Sequence, residues 1–321
     1  MLATLNLYPN RNPKLRLFAL WYFCTLLVLW NIAGQTVLGF EQSNLQPIAS
    51  VSMAIAVGMA IESLDAWSNQ RRARWSGGWV PFLNFLPACI IPGLACSMLT
   101  YSNERLAPVL FAASLSMASK VLFKAPLANG QMQHIFNPSN FGITMTLLLL
   151  PDVGLAPPYQ FTENLTGAWH WVLPGIVMVT GVFVHAKFTG RLPLVLSWLA
   201  AFAFQGLVRA WIFDLPVIVP FVPMTSVGFI LFSLYMIPDP ATTPLSLRGQ
   251  IGFGVSVATI YAFLFVFHVV FGLFIAVALT SAGRGVLLYA AHAASLRRNK
   301  TFAPQVAVAS PVAIRAAVAG D

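Results

Sequence analysis

Gln133-His134-Ile135-Phe136-Asn137-Pro138-Ser139-Asn140-Phe141-Gly142, followed by the apolar run Ile143 to Leu150, decides how the chain is read. Asn followed by Pro writes a helix start. Asn137 can accept from the free N–H groups of a first turn, and Pro138 suits the first helical position because its missing N–H had no partner there. The residues around this start are polar, yet the chain that flanks it is membrane material. In lipid, such groups are tolerated only where they face protein or a cavity. The stretch is therefore a candidate site embedded in a bilayer protein.

Composition supports that setting. Of 321 residues, 58% are hydrophobic and 8% charged, where a soluble domain carries roughly 25% charged residues. Several apolar runs reach the roughly 20 residues that a bilayer helix needs. Arg11, Lys14 and Arg16 lead into a full-length span, so no cleavable signal is expected. The net charge of +9 does not imply nucleic acid, because the cations sit between spans, where they orient a membrane protein. Cys24, Cys89 and Cys96 all fall in apolar segments and read as small buried hydrophobes. No metal-ligand spacing appears.

Outward from Asn137, the pattern predicts an all-α polytopic membrane protein of about ten spans. These are Leu17 to Gly39, Ile48 to Leu64, Val80 to Thr100 (interrupted by Pro87 and Pro92), Leu106 to Phe123, Pro138 to Leu150, Trp171 to Phe188, Leu192 to Phe213 and Val217 to Ile237. A long run from Gly252 past Thr280 is split near Phe271-Gly272 into the last two. Residues 1–16 form a cytoplasmic segment, 17–300 a single transmembrane domain, and 301–321 an Ala/Val/Pro-rich tail predicted to be disordered. Cations cluster on one side of this layout (Arg71, Arg72, Arg74, Lys120, Lys124, Lys187, Arg191, Arg248, Arg297, Arg298 and Lys300). Arg105 and the acidic residues Asp152, Glu163 and Asp214 fall on the other. The asymmetry puts both termini in the cytoplasm of a bacterial inner-membrane protein.

Tyr235-Met236-Ile237-Pro238-Asp239-Pro240-Ala241-Thr242-Thr243-Pro244 repeats the logic of the first motif about a hundred residues on. Paired interruptions in two halves point to a transporter-like site, and they suit two five-helix repeats with broken helices at Asn137-Pro138 and Asp239-Pro240. Both breaks fall on the same side of the layout, however, where an inverted repeat would separate them. Candidate binding residues are Asn137, Ser139 and Asn140, with Asp239, Thr242 and Thr243. Glu62 and Asp65, three apart on one helical face, read as interfacial carboxylates answering Arg71, Arg72 and Arg74. Of the histidines, His134, His185, His268 and His292 show no haem-ligand pattern; His268 is expected deep, His185 and His292 interfacial. No soluble-type catalytic motif is present, so no self-contained enzyme is expected.

HIFNPSNFGITMTLLLLPDVGLAPPYQFTENLTGAWHW and YMIPDPATTPLSLRGQIGFG carry a resemblance. They look like the RnfD/NqrB superfamily, whose members are membrane components of the Rnf complex and of the sodium-translocating NADH:quinone reductase. The branch encoded with enediyne-biosynthesis clusters, called UnbU-like, is the most similar. The resemblance spans roughly Leu15 to Leu288. It implies a ten-span fold that takes part in transmembrane electron or ion transfer with a flavin, beside other electron-transport or biosynthetic subunits. In respiratory members the flavin phosphate is esterified to the last Thr of a Ser/Thr-Gly-Ala-Thr motif. The matching loop here reads Thr166-Gly167-Ala168-Trp169, and Trp169 has no hydroxyl to esterify. The cofactor implied is thus a non-covalent FMN or riboflavin, for which Trp169, Trp171, Tyr159 and Phe161 could stack, unless these rings form the interfacial belt. A non-redox transporter of a small solute and a membrane scaffold subunit are the alternative functions.

Overall fold

A computed structural model describes residues 13–301 apart from 104, 128 and 129. Of the tail proposed at 301–321, residue 301 closes the last helix and the rest, like the first twelve residues, lies outside the described residues. The chain is a bundle of helices. Helices dominate because lipid offers no partner for backbone N–H and C=O groups, and an α-helix satisfies its own. In order they are α1 (Pro13–Ala33), α2 (Leu45–Ser68), α3 (Trp79–Phe85), α4 (Pro87–Leu99), α5 (Leu106–Leu122) and α6 (Pro138–Leu149). Then come α7 (Trp169–Val184), α8 (Leu192–Ile212), α9 (Val227–Leu231), α10 (Leu247–Val266) and α11 (Gly272–Thr301). Helices α8 and α10 run parallel, Gly190 beside Gln250 and Phe202 beside Tyr261, while α5 and α6 run antiparallel.

Among the described residues, seven helical segments are long and apolar enough to cross a membrane: Lys14–Leu38, Leu45–Ser68, Trp79–Leu99, Trp169–Thr189, Leu192–Ile212, Leu247–Val266 and Gly272–Arg298. An eighth results if the bent pair Val219–Thr225 and Val227–Met236, which turn 75° to one another, is counted as one span. The expected ten is therefore too high. The surplus segments are short legs: α5 has 17 residues and α6 only 12. At about 1.5 Å per residue, α6 covers roughly 18 Å of a hydrocarbon layer roughly 30 Å thick. Pro87 and Pro92 leave Trp79–Leu99 a single passage, divided into α3 and α4. The split of the last long run falls where expected, with left-handed His268 and Phe271 (φ 57° and 62°) turning the chain between α10 and α11.

Two small strand pairs mark the two ends. Thr100 pairs with Leu155 at one end, through β1 (Thr100–Tyr101) and β4 (Gly154–Leu155), beside the Arg105–Asp152 ion pair. At the other, β2 (Lys124–Pro126) pairs with β3 (Met132–His134). This second end carries Arg71, Lys124, Arg191 and Arg284, and is called the charged end below. Here Arg71 reaches both Glu62 and Asp65, Arg74 donates its backbone N–H to Glu62 (2.9 Å), and Lys124 sits 3.7 Å from Asp65. The two carboxylates are thus absorbed by interfacial cations, as their spacing suggested.

Close approach of backbones holds the bundle together. A side chain at Gly142 would stand 2.2 Å from the Ala112 carbonyl oxygen, so α5 and α6 touch there. Gly254 lets α10 lie against Leu194 and Trp198 of α8. Lipid tails are as apolar as leucine, so such contact, rather than hydrophobic exclusion, drives helix association. Aromatic rings fill the centre. Phe202 lies 4.8 Å from Phe229 and 5.5 Å from Tyr261, and Phe232 lies 5.3 Å from Phe274. The three cysteines are buried and free.

Candidate functional site

Asn137 is built as its sequence suggests. It stands in extended backbone before α6, and its side-chain oxygen accepts from the Asn140 N–H (3.2 Å) and the Ser139 hydroxyl (2.9 Å). Its amide nitrogen does something a cap does not require: it donates to the carbonyl of Met236 at 2.9 Å. Met236 closes the π turn Phe232–Met236 that ends α9. The start of one half-length helix therefore meets the end of another. Asn140 reaches across to α11, donating to the Phe274 carbonyl at 3.1 Å, while its own side-chain oxygen has no partner.

The second motif is brought to the same region, but it is not a helix start. Residues 237–246 form a loop, and α10 begins only at Leu247 with Ser246 as its cap. The reason is local. Thr243 precedes Pro244, and the ring disfavours helical backbone in the residue before it. Asp239 folds the loop on itself: its carboxylate accepts the Ala241 N–H (3.0 Å) and the Thr242 hydroxyl (3.1 Å), and its carbonyl accepts the Thr243 hydroxyl (2.6 Å). Two arginines then clamp the loop. Arg191, fully buried, donates to the Thr243 hydroxyl (2.7 Å) and the Pro240 carbonyl (3.1 Å). Arg284 bridges the Thr242 carbonyl (2.8 Å) to the Gln133 side chain (2.7 Å), tying this loop to the segment before Asn137. Burial pulls the Arg191 guanidinium down to about 10.

The clamp had a legible signal. Arg284 is a lone cation inside the apolar run that becomes α11, and an ionisable residue in a span marks a site by default. Replacing Arg284 by Leu removes two charged hydrogen bonds and is expected to cost about 2–4 kcal/mol. A lowered unfolding midpoint in detergent would register it.

Beside these motifs opens a cavity of about 1880 Å³. It runs from Arg16, Arg74 and Lys124 at the charged end to Met98, Leu155 and Phe161 at the opposite end. Asn137, Ser139 and Asp239 stand on its wall, with His134, Lys120 and Arg191 near the charged end. Asn140, Thr242 and Thr243 lie behind that wall, buried and engaged in holding it. Thr166 and Trp169 lie elsewhere. Trp169 begins α7 and Thr166 lies in the loop before it, at the opposite end, where Trp169 is 59% and Trp171 83% exposed. Of the four proposed stacking rings only Phe161 reaches the cavity, packed edge-on against Phe40 at 5.0 Å.

The histidines are redistributed. His185 is buried, held by Thr189 (2.7 Å) and the Leu234 carbonyl (2.6 Å), whereas His268 is exposed in the turn before α11. Hydropathy along the chain reports neither fact, since it ignores which way a side chain turns. His134 is mostly buried, and burial followed by the nearby Lys120 charge draws its imidazole from 6.5 down to about 4. It is therefore neutral in the folded protein at neutral pH. The stability this gives is complete above pH 6.5 and drains away as pH falls toward about 4. His134→Gln is expected to flatten that part of the profile, measured as unfolding midpoint against pH.

Fold and site together define a multi-pass helical membrane protein with a deep cavity beside a junction of half-length helices. The sequence matches no family model, and no curated protein is similar to it.

Proposed function

We propose that the protein is an RnfD/NqrB-like membrane protein taking part in transmembrane electron or ion transfer, with its working site in the cavity rather than in the external loop. The observation that carries this reading is the Asn137–Met236 hydrogen bond, which joins two half-length helices on the wall of a cavity of about 1880 Å³. Discontinuous helices supply backbone dipoles and polar groups at membrane depth, where an unbroken helix supplies none.

A non-covalent flavin fits what is there. Such ligands occupy pockets of roughly 300–1,000 Å³ lined by aromatic rings with a few polar groups, so a flavin would fill only part of this larger cavity. Phe229, Phe232, Tyr235 and Phe274 line the cavity, and the buried His134 Nδ1 on its wall has no partner. When bound, the flavin would supply one- and two-electron redox chemistry. The chain's own part is to exclude water with these rings and to orient the ring edge with polar groups. Covalent attachment is not supported, because Trp169 lacks a hydroxyl and Thr166 is exposed away from the cavity. Other electron-transport or biosynthetic subunits would be the partners, with enediyne-type biosynthesis as the setting suggested by the most similar branch.

The test is an absorption spectrum of protein gently extracted from bacterial inner membranes. Flavin bands are expected, and denaturation should release all of the flavin. A preparation free of flavin, quinone and haem overturns the redox reading. One observation favours a second reading, a non-redox transporter of a small solute: the cavity continues from the charged end to the opposite end. Flux into proteoliposomes that depends on Asn137 and Asp239, in cofactor-free protein, would establish it.

A further inference from the structure

The cavity's charged end holds more positive charge than its carboxylates answer. Glu62 and Asp65 on its wall are taken up by Arg71, Arg74 and Lys124. That leaves Arg16, Lys120 and Arg191 beside a single carboxylate, Asp239, which is turned into its own loop by Ala241 and Thr242. Among the described residues, no carboxylate lies within ion-pair distance of Arg16, Lys120 or Arg191. The Lys120 ammonium donates to the Ala88 carbonyl, which satisfies one of its three N–H groups. Arg191 is 0% exposed and its Nη1 has no partner at all. Burying a guanidinium nitrogen unpaired is costly, and an anion that reaches it removes the cost.

We infer that Lys120 and Arg191 form an anion subsite at the charged end of the cavity, which takes the phosphate monoester of an amphipathic molecule whose apolar body lies along the aromatic wall. A phosphate monoester carries close to two negative charges and three strong acceptor oxygens, enough to meet both cations at once. Ser139 and the start of α6, also on the wall, add a partial positive charge on the same side. The inference deepens the proposed function and rests on its placement of the working site in the cavity. If the cofactor is a flavin, it selects FMN over riboflavin.

The experiment uses flavin-free protein in phosphatidylcholine nanodiscs. Inorganic phosphate is expected to raise the thermal midpoint relative to chloride at equal ionic strength, and Lys120→Gln to abolish that rise. FMN is expected to bind about tenfold or more tightly than riboflavin, one charge-assisted contact being worth at least that. In Lys120→Gln the ratio should fall to about one with riboflavin affinity unchanged, and Lys120→Arg should restore it. Should Lys120→Gln fail to fold, Arg191→Lys, which keeps the charge but cannot fill the same fork, is measured instead. Equal affinities with no phosphate effect overturn the subsite and leave the flavin reading standing. A phosphate effect untouched by either variant also overturns it. Phosphate stabilisation lost in Lys120→Gln, with neither flavin bound, supports the subsite and removes the flavin. Stabilisation by added phosphatidic acid in that case identifies a lipid headgroup as the source of the phosphate.

Discussion

Gly142→Ala is expected to cost about 3 kcal/mol or more and to leave little folded protein in detergent, although it adds one methyl group. That methyl would stand 2.2 Å from the Ala112 carbonyl oxygen and 2.2 Å from the Ser116 hydroxyl. The first is backbone and cannot turn away, so α5 and α6 must part along their contact. Overpacking of a well-filled site typically costs about 1–3 kcal/mol, and here the obstacle is a helix rather than a flexible side chain. Gly252→Ala supplies the control, since nothing lies within 4 Å of a side chain built there. It should leave stability unchanged or improve it by up to about 1 kcal/mol through helix propensity. Unfolding midpoints of both variants against the parent decide the matter. Comparable losses would mean that the α5–α6 contact does not govern stability.

Asn137→Ala should be nearly as damaging, by a different route. It deletes a helix cap, worth about 1 kcal/mol. It also strands the Met236 carbonyl, which costs about 1–3 kcal/mol for a buried group left unpaired. Asn137→Asp separates the two roles. An aspartate keeps the oxygen that accepts from Asn140 and Ser139 but loses the donor to Met236, and places a carboxylate oxygen against a carbonyl. Helix content by circular dichroism should survive in Asn137→Asp, while the flavin binding or solute flux proposed for the cavity should be lost. If both variants retain bound flavin and transport, the junction of half-helices is packing and nothing more.

Much of this was readable in the chain. The all-α membrane class follows from composition, the cap at Asn137 from Asn-Pro, and the division of the last long run from Phe271-Gly272. Four things were not readable, for physical reasons. Apolarity says that a segment can lie in lipid but not that it crosses, so α6, which ends after twelve residues, counted as a full span. Asx-Pro patterns are shared by caps and loops, and Pro244 turned the second into a loop whose Thr242 and Thr243 serve Asp239 and the arginines. Aromatic richness does not distinguish a stack from an interfacial rim, and Trp169 and Trp171 lie exposed. Long-range partners such as Arg284 with Gln133, 151 residues apart, depend on packing that no local pattern encodes.

Helix α11 has a mechanical meaning. Its 30 residues extend about 45 Å, longer than the hydrocarbon layer is thick. Along that length it is fastened in turn to Asn140, to Ile135 packed over Gly285, to Gln133 and Thr242 through Arg284, and to Lys124 through Tyr289. A rod pinned at so many points behaves as a splint. The Asn137 junction and the Asp239 loop share its stiffness and cannot flex one at a time. Any movement that widens the charged end of the cavity must swing the rod as a lever, carrying both along.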